Sequence, residues 1–484
     1  MTDLPHAPSQ SEAENRLYAD RVKVYPRKVK GTFRRIKWIM LGLVLTLYYG
    51  LPFIRFDRGA GLPDQAILID MEARRAYFFW IEIWPQEVYI LTGVLIFAAV
   101  ALFFITSIAG RLWCAYACPQ TVWTDLFMWI ERLIEGDAPE RRKRDQGPLT
   151  ADKALRKTAT HTAWLAISVM TGGAWILYFQ NAPTAIPEVL GGHAAMGTYF
   201  FIGLFTATTY LLGGWAREQV CTYMCPWPRF QSAMFDEDTL VVTYQGWRGE
   251  PRSRHHKKAL AKGEPVGDCV DCGLCVQVCP TGIDIRDGVQ LECIGCGLCV
   301  DACNTVMEKL GAPRDLIRHD TERNMRNREM GIQSKYRLIR PRTLIYATML
   351  AVVGLGLLTA LLSRADTDIN LIHDRNPLYQ RLSDGSIRNG FTLKVLNKTH
   401  TPQQYEIALS GIEGLTMRDG RTVGAAWEDS LIVDATPNGV TPVRFFVHAP
   451  QKALKGDHTT MTIAVTNLDT GIRTEEETVF RGPK

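Results

Sequence analysis

Eight cysteines in the second half of the chain fall into two runs with the same spacing. Each run reads C-x2-C-x2-C-x3-C, and a short link separates the two. Thiolates set this closely are typical ligands of iron–sulfur clusters, and the spacing predicts two [4Fe-4S] clusters. The ligands are predicted to be Cys269, Cys272, Cys275 and Cys279 in the first run and Cys293, Cys296, Cys299 and Cys303 in the second.

The pattern also predicts which cysteines share a cluster. In bacterial two-cluster ferredoxins, three cysteines of one run hold a cluster and the fourth reaches the other cluster. Pro280 turns the chain away after Cys279, which favours this crossing. Zinc would use ligands in two pairs, and disulfides would need an oxidising compartment, so both alternatives fit less well. The predicted sets are Cys269, Cys272, Cys275 and Cys303 for one cluster and Cys293, Cys296, Cys299 and Cys279 for the other.

The remaining four cysteines form a C-x3-C-P motif that occurs twice. The pairs are Cys114 with Cys118 and Cys221 with Cys225. Positions i and i+4 of a helix share a face, so each motif is predicted to present two sulfurs side by side. A parallel repeat of two helix pairs would bring all four sulfurs together. Three interpretations stay open at this point: buried thiols, a third cluster or zinc site, and a soft ion such as Cu(I).

Apolar runs predict the elements that position these cysteines. Each run is close to the ~20 residues that a helix needs to cross a bilayer. We therefore predict a membrane protein with five transmembrane α-helices, the first four forming the repeat. The predicted spans are 38–54, 88–110, 160–179, 193–215 and 343–363.

The distribution of Lys and Arg predicts the orientation of these helices. Basic residues are concentrated in the N-terminal tail and in 111–157, and none occurs in the 180–192 loop. The positive-inside rule then places the N-terminus, 111–158 and 216–342 in the cytoplasm, and 55–87, 180–192 and 364–484 outside. All twelve cysteines fall on the cytoplasmic side, which agrees with the reducing chemistry of that compartment.

Composition allows several domains and argues against a nucleic-acid partner. The chain has 484 residues and a net charge of only +5, with its basic residues clustered beside the apolar runs. After residue 364, short alternating apolar stretches are separated by turn signals such as Asp384-Gly385, which predicts an all-β immunoglobulin-like sandwich without a cysteine pair. The predicted domains are a basic tail (1–37), a four-helix transmembrane repeat (38–245), an inserted two-cluster bacterial ferredoxin-like domain (246–342), a fifth transmembrane helix (343–363) and the sandwich (364–484).

Further blocks of sequence resemble one protein family over nearly the whole chain. Beside the cysteine motifs, they are YPRKVKGTFRRIKW at 25–38, DRGAGLPDQAILID at 57–70, IEIWPQEVYILTG at 81–93 and DRNPLYQRLSDGSIRNGFTLKVLNKTH at 374–400. With these blocks, the chain resembles the cytochrome c oxidase accessory proteins, the group that includes CcoG, FixG and RdxA. The resemblance implies a bacterial inner-membrane protein that holds two [4Fe-4S] clusters and reduces Cu(II) to Cu(I) for assembly of cbb3-type cytochrome c oxidase. It also implies copper ligands at Cys114, Cys118, Cys221 and Cys225.

The same resemblance implies partners. They are a cytoplasmic electron donor, copper chaperones or transporters, assembly factors of the cbb3-type oxidase and the lipid bilayer. The sequence leaves open the identity of the donor and whether two copies form a homodimer. Two rival functions also stay open: a subunit that passes quinol electrons to a respiratory enzyme, and a redox-sensing assembly scaffold without enzymatic activity.

Overall fold

The computed structural model describes residues 23–59, 61–422 and 425–483, so most of the predicted basic tail (1–37) lies outside the described residues. The chain divides into two compact units, with the boundary between Leu358 and Thr359. The first unit carries all twelve cysteines, and the second is composed of β-strands.

The first unit is mainly helical. Its helices are α1 (Thr32–Gly50), α2 (Val88–Ala109), α3 (Leu112–Tyr116), α4 (Pro119–Glu135), α5 (Ala138–Gln146), α6 (Ala151–Ile176), α7 (Ala182–Leu190), α8 (Met196–Thr209), α9 (Trp227–Ala233), α10 (Gly246–Gly249), α11 (His256–Ala261), α12 (Leu274–Gln277), α13 (Leu298–Leu310), α14 (Glu322–Glu329) and α15 (Pro341–Leu362). π-Helical segments cover Tyr210–Ala216 and Val220–Met224, and short 3-10 turns cover Leu51–Phe53, Pro85–Glu87 and Ile285–Asp287. Its strands are β1 (Ile67–Asp70), β2 (Arg75–Phe78), β3 (Ile81–Ile83), β4 (Val241–Tyr244) and β5 (Ile317–Asp320).

In the part of the chain that the structure describes, three helical stretches are long and apolar enough to cross a membrane. They are Thr32–Phe53, Pro85–Ala109 and Pro341–Leu362, and the most apolar part of the last has no buried residue. Contiguous apolar surface of this size is not left exposed to water by a soluble protein. These helices correspond to the first, second and fifth predicted spans, and they make this a membrane protein.

The prediction of five transmembrane helices is confirmed only for these three. The third predicted span begins within α6 and extends past its end at Ile176, and its apolar residues are interrupted by polar ones such as His161 and Ser168. The fourth predicted span is not one α-helix, because α8 ends at Thr209 and the chain continues as a π-helical segment. Neither region is therefore a single long apolar α-helix, although both are helical.

Small residues bring the apolar helices α2 and α15 into contact. A side chain at Gly93 of α2 would collide with Leu357 of α15, and Gly354 of α15 faces Phe97 of α2. Glycine allows helices in a membrane to approach closely, so that van der Waals contact replaces the hydrophobic effect as the source of association.

A compact lobe with eight of the cysteines lies between β4 and β5. The two strands pair antiparallel, from Val241 opposite Asp320 to Tyr244 opposite Ile317. Helices α12 and α13 pack together in this lobe, and its core combines aliphatic side chains with cysteines. The segment with the ferredoxin-like cysteine motifs therefore begins and ends at two hydrogen-bonded strands, β4 and β5.

The second unit confirms the predicted β-sandwich. Its strands are β6 (Thr367–His373), β7 (Gln380–Arg381), β8 (Ile387–Asn397), β9 (Gln403–Ser410), β10 (Thr416–Asp419), β11 (Ser430–Ala435), β12 (Gly439–Ala449), β13 (His458–Asn467) and β14 (Arg473–Arg481). One sheet has the order β10-β12-β8-β6, with β7 also paired to β8, and the other has the order β11-β9-β13-β14. Alternating side chains such as Phe391, Phe445 and Phe480 are fully buried between the sheets.

Sequence analysis did not assign the small sheet formed by β1, β2 and β3. It lies between the first two apolar helices and contacts the far end of the helical unit, where the Ile69 N–H donates to the Tyr178 carbonyl at 2.8 Å. Its strands have only three or four residues, which is too short for an alternating pattern to be recognised.

Candidate iron–sulfur and thiol sites

One cavity in the cysteine-rich lobe is lined by the first predicted ligand set. Its wall also includes apolar side chains such as Val306 and Leu316, and the guanidinium-bearing Arg286. Cys272 is exposed, whereas the other three cysteines of this set are buried or half-buried. The wall between this cavity and solvent is therefore thinnest at Cys272. The cysteines that line it are Cys269, Cys272, Cys275 and Cys303.

A second cavity is lined by the other predicted ligand set. Cys275 lines both cavities, so the two are adjacent. Apolar side chains such as Val242 and Ile285 complete the wall. The predicted ligands that line it are Cys279, Cys293, Cys296 and Cys299.

Equivalent glycines shape the two cysteine runs. Gly273 and Gly297 precede α12 and α13, and both have left-handed backbone conformations, with φ of 64° and 71°. Only glycine adopts this conformation without a steric penalty. At Gly297 a side chain would also collide with Phe33, so the position requires glycine for two reasons.

Burial raises the pKa of several thiols that line the cavities. The pKa of Cys275 rises to about 11, and those of Cys293 and Cys303 rise to about 12. Neighbouring thiols raise each value further, because several thiolates in one buried place repel each other. A positively charged iron centre would remove this penalty, since coordination deprotonates a thiol. The donor set and the two cavities therefore fit two iron–sulfur clusters, whose ligand assignment stays a prediction.

The two cysteines of each C-x3-C-P motif were predicted to share one helix face, but in the structure they do not. Cys114 is within α3, but Cys118 is an extended residue just before α4. Likewise Cys221 is π-helical, and Cys225 is the extended residue that follows. The prediction was wrong because proline disfavours the helical conformation in the residue before it, and that residue is a cysteine in both motifs.

The four cysteines nevertheless gather in one half-buried place. Burial raises the pKa of Cys114 and of Cys221 to about 12. Electrostatic repulsion from Cys118, Cys114 and Cys225 adds to the shift at Cys221. We call this group, Cys114, Cys118, Cys221 and Cys225, the thiol quartet.

The thiol quartet is not a closed single-ion site. Among the described residues, which include every cysteine, no three His, Cys, Asp or Glu side chains converge tightly enough to hold one metal ion. Four thiolates on one zinc ion would each lie about 2.3 Å from it. The quartet would therefore have to close around an ion in order to bind it with all four sulfurs.

Arg111 and Tyr116 join the thiol quartet to the second cavity. The Arg111 guanidinium donates to the carbonyl oxygens of Leu291, of Cys293 at 2.9 Å and of Pro228 at 2.9 Å. The Tyr116 hydroxyl donates to the Cys296 carbonyl at 3.1 Å. Cys114, Cys221, Cys296 and Cys299 also belong to one apolar cluster.

Gln231 is a further polar group at the thiol quartet. It is fully buried on α9, and the Cys114 thiol donates to its Oε1 at 3.3 Å. Its Nε2 donates to Thr106 at the end of α2, also at 3.3 Å. Sequence analysis missed Gln231, Arg111 and Tyr116, because their contacts cross about a hundred residues or more and involve mainly backbone carbonyls.

Asp301 joins the cysteine-rich lobe to the first apolar helix. Its carboxylate accepts the N–H groups of Phe33 at 3.3 Å and Arg34 at 2.8 Å, in the first turn of α1. A side chain at Gly31 would occupy the position of this carboxylate. The lobe thus supplies the cap that α1 lacks in its own sequence.

Three family models match the chain. Residues 216–322 match a 4Fe-4S dicluster domain, residues 91–135 match a 4Fe-4S binding domain, and residues 357–483 match the immunoglobulin-like fold at the C-terminus of FixG. These matches confirm the iron–sulfur character of the first unit and the immunoglobulin-like fold of the second.

Curated relatives align over most of their own length. The nitrogen fixation protein FixG of Rhizobium meliloti is 50% identical over 90% of this chain and 88% of its own. Protein RdxB of Cereibacter sphaeroides is 44% identical over 96% of this chain and 97% of its own, and RdxA of the same organism is 44% identical over 90% and 91%. The chain therefore belongs to the FixG family of iron–sulfur electron-transfer proteins, together with RdxA and RdxB.

Proposed function

We propose that this membrane protein reduces Cu(II) to Cu(I) for the copper centre of a cbb3-type cytochrome c oxidase. The observation that supports this most directly is the contact between the thiol quartet and the second cluster cavity, through Arg111 and Tyr116. Each cluster, when bound, supplies or accepts one electron at a time. A one-electron centre thus lies beside a group of sulfurs, and Cu(II) needs one electron to become Cu(I).

The thiol quartet provides the substrate site in this proposal. Thiolates favour Cu(I) over harder ions, so the quartet stabilises the product of the reduction. The four sulfurs are half-buried, and burial raises the pKa of Cys114 and Cys221, so copper binding at these two thiols releases protons. Cu(II) gains one electron, and the reduced iron–sulfur centre loses it.

In this proposal, electrons enter at the first ligand set. Cys272 is the exposed member of the first ligand set, and Cys275 lines both cavities. A cytoplasmic one-electron donor that docks beside Cys272 would deliver electrons to the first ligand set, whereas the thiol quartet contacts the second. The order is then donor, first ligand set, second ligand set and copper.

The contacts of the helix ends support five transmembrane helices, and the distribution of Lys and Arg supports a cytoplasmic cysteine-rich lobe. Helix α6 begins beside the end of α4, where Lys157 Nζ lies 2.7 Å from Glu135 Oε2. It ends beside the end of α1, where the Tyr178 hydroxyl donates to the Tyr48 carbonyl at 2.8 Å. Helix α6 therefore covers the same distance as the apolar helix α1, and α8 with its π-helical extension returns along it. In this topology the β-sandwich lies in the periplasm.

We propose that the protein acts with partners at both membrane faces. Copper chaperones or transporters would supply or receive the ion, and assembly factors of the cbb3-type oxidase would take the reduced copper onward. The periplasmic β-sandwich is the natural place for contacts with the oxidase. The electron donor belongs to the cytoplasm, where the cysteine-rich lobe is proposed to lie.

The test is to replace two sulfurs of the thiol quartet. Cys221→Ser with Cys225→Ser should abolish stoichiometric copper binding and cupric reduction, whereas iron content and the cluster EPR signals stay unchanged. Tyr223→Phe is the matched control, because this exposed side chain lies between the two cysteines. Copper and iron per chain and the rate of Cu(I) formation are measured on anaerobically purified, reduced full-length protein.

Three outcomes would contradict the proposal. If the double variant still binds copper stoichiometrically, the thiol quartet is not the copper site. If the wild-type clusters are reduced by quinol and no copper is reduced, the protein passes quinol electrons to another enzyme. Loss of about a third of the iron in the double variant, about four atoms per chain, would show that these cysteines hold iron instead.

A further inference from the structure

A cavity of about 580 Å³ lies at the N-terminal end of α1, and no cysteine lines it. Its walls come from the segment before α1, from α4 and from the part of the cysteine-rich lobe around Pro280. Four of its lining residues are basic, against two carboxylates, Asp125 and Asp137. The basic residues are Arg27, Lys28, Arg34 and Arg132.

One buried nitrogen of these basic side chains has no hydrogen-bond partner among the described residues. The Arg34 side chain is only 9% exposed; its Nη1 binds both oxygens of Asp125, at 2.8 and 2.9 Å, but its Nη2 makes no hydrogen bond. Burial lowers the pKa of Arg132, and the nearby charge of Arg34 lowers it further. A buried donor without an acceptor is costly, and the lining carries more basic than acidic groups, so the cavity favours an anion.

The opening of the cavity has the character of a membrane interface. Trp38 of α1 and Trp129 of α4 both line it and make an edge-to-face contact with ring centroids 5.8 Å apart. Leu133 at its rim is 70% exposed, and the adjoining face of α1 includes Ile39, which is 68% exposed. Tryptophan beside basic residues at the end of an apolar helix is typical of the level of lipid head groups.

We propose that this cavity binds the phosphate of an anionic phospholipid, whose acyl chains lie along the exposed apolar face of α1. Arginine recognises phosphate through paired hydrogen bonds, and basic pockets beside membrane helices select acidic lipids. A soluble phosphate compound would not need the exposed tryptophan and leucine at the rim. The proposal is independent of the copper chemistry.

The bound lipid would connect the membrane to the cysteine-rich lobe. Val278, Pro280 and Leu298 form the inner wall of the cavity, and each is a sequence neighbour of a predicted ligand of the second cluster. The lipid head group would therefore bridge α1, α4 and this wall. Acidic lipid should make the second cluster less accessible to iron chelators, and neutral lipid should not.

The experiment is native mass spectrometry of the full-length protein in detergent, with phosphatidylglycerol or phosphatidylcholine added. We expect retained phosphatidylglycerol on the wild type and about tenfold weaker retention for Arg132→Gln, which corresponds to about 1.4 kcal/mol. Lys143→Gln is the matched control, because it removes an exposed positive charge outside the cavity. Lys28→Gln, at the exposed rim, gives a second test that leaves the buried arginines in place.

Several results would overturn the lipid site. One is equal retention of the two lipids by the wild type. Another is equal retention of phosphatidylglycerol by the Arg132→Gln, Lys28→Gln and Lys143→Gln variants. Displacement of phosphatidylglycerol by millimolar inorganic phosphate would show a site for small anions instead. Iron per chain, measured on each variant, excludes any preparation in which the lobe has unfolded.

Discussion

Arg111 is the residue on which the connection between the thiol quartet and the second cavity depends most. Its side chain is buried, with 6% exposure, and its guanidinium donates to carbonyl oxygens from two separate segments. Two of these oxygens belong to Leu291 and to Cys293, a predicted ligand, and the third belongs to Pro228 beside the quartet. Hydrogen bonds from a charged donor contribute more than neutral ones, so this arginine fixes the distance between the two sites.

Replacement of Arg111 should loosen the second cluster and slow copper reduction. In Arg111→Met the buried carbonyls lose their donor, at a cost of about 1–3 kcal/mol for each unsatisfied group. We expect faster iron loss to a chelator and a lower rate of Cu(I) formation, with copper still bound. Lys262→Met, an exposed substitution in the same lobe, is the control. Equal iron loss from the two variants would contradict this role of Arg111.

At the scale of residues, the spacing of the cysteines predicted which of their side chains line the same cavity. Both predicted ligand sets line separate cavities, because the spacing of thiols along the chain reflects the geometry of the cluster they are predicted to hold. The supporting residues could not be predicted in this way. Arg111 and Tyr116 bind backbone carbonyls, and any residue type provides such an acceptor, so the partner positions carry no sequence signal.

At the scale of elements, the cap of α1 connects the lobe to the membrane helices. Asp301 lies on α13, two residues after Cys299, and it accepts hydrogen bonds from the first turn of α1. A carboxylate at this end of a helix also interacts favourably with the helix dipole. The geometry of the second ligand set and the position of α1 are therefore coupled.

Removal of this cap should destabilise the lobe. Asp301→Ala is expected to cost about 0.5–2 kcal/mol, and Asp301→Asn, which keeps one acceptor oxygen, should cost less. The measurement is the temperature at which the iron–sulfur absorbance is lost. Glu308→Ala on the same helix is the control, because its ion pair with Arg314 is exposed and contributes little. A change in Asp301→Ala no larger than that of Glu308→Ala would contradict the capping role.

Strands could be predicted from the sequence where apolar and polar residues alternate over a long stretch. The strands β8, β12 and β13 have ten or eleven residues, and their alternation gave the sandwich. The cap at Asp301 was not predictable, because its partner Arg34 lies 267 residues away in sequence. The helical interruptions after Thr209 were missed because hydropathy does not distinguish α-helical from π-helical turns.

At the scale of the whole first unit, three apolar helices have one end at the same lobe. The start of α1 meets Asp301, and the Leu240 N–H donates to the carbonyl of Ile108 near the end of α2. Arg340, just before α15, donates to the carbonyl of Ser107 at 2.6 Å. Helix α2 ends, and α15 begins, on the side where the lobe lies, so the chain between them crosses the membrane an even number of times. The prediction of two more spans agrees with an even number.

The measurement that tests the account most directly is the metal content of the full-length protein, purified anaerobically and loaded with Cu(II) after reduction. The account predicts about eight iron atoms per chain, in two [4Fe-4S] clusters seen by EPR. It also predicts one Cu(I) per chain, formed as the cluster signals decrease. About twelve iron atoms would show that the thiol quartet holds a third cluster. Zinc in the ferredoxin-like lobe, or no iron at all, would contradict the account.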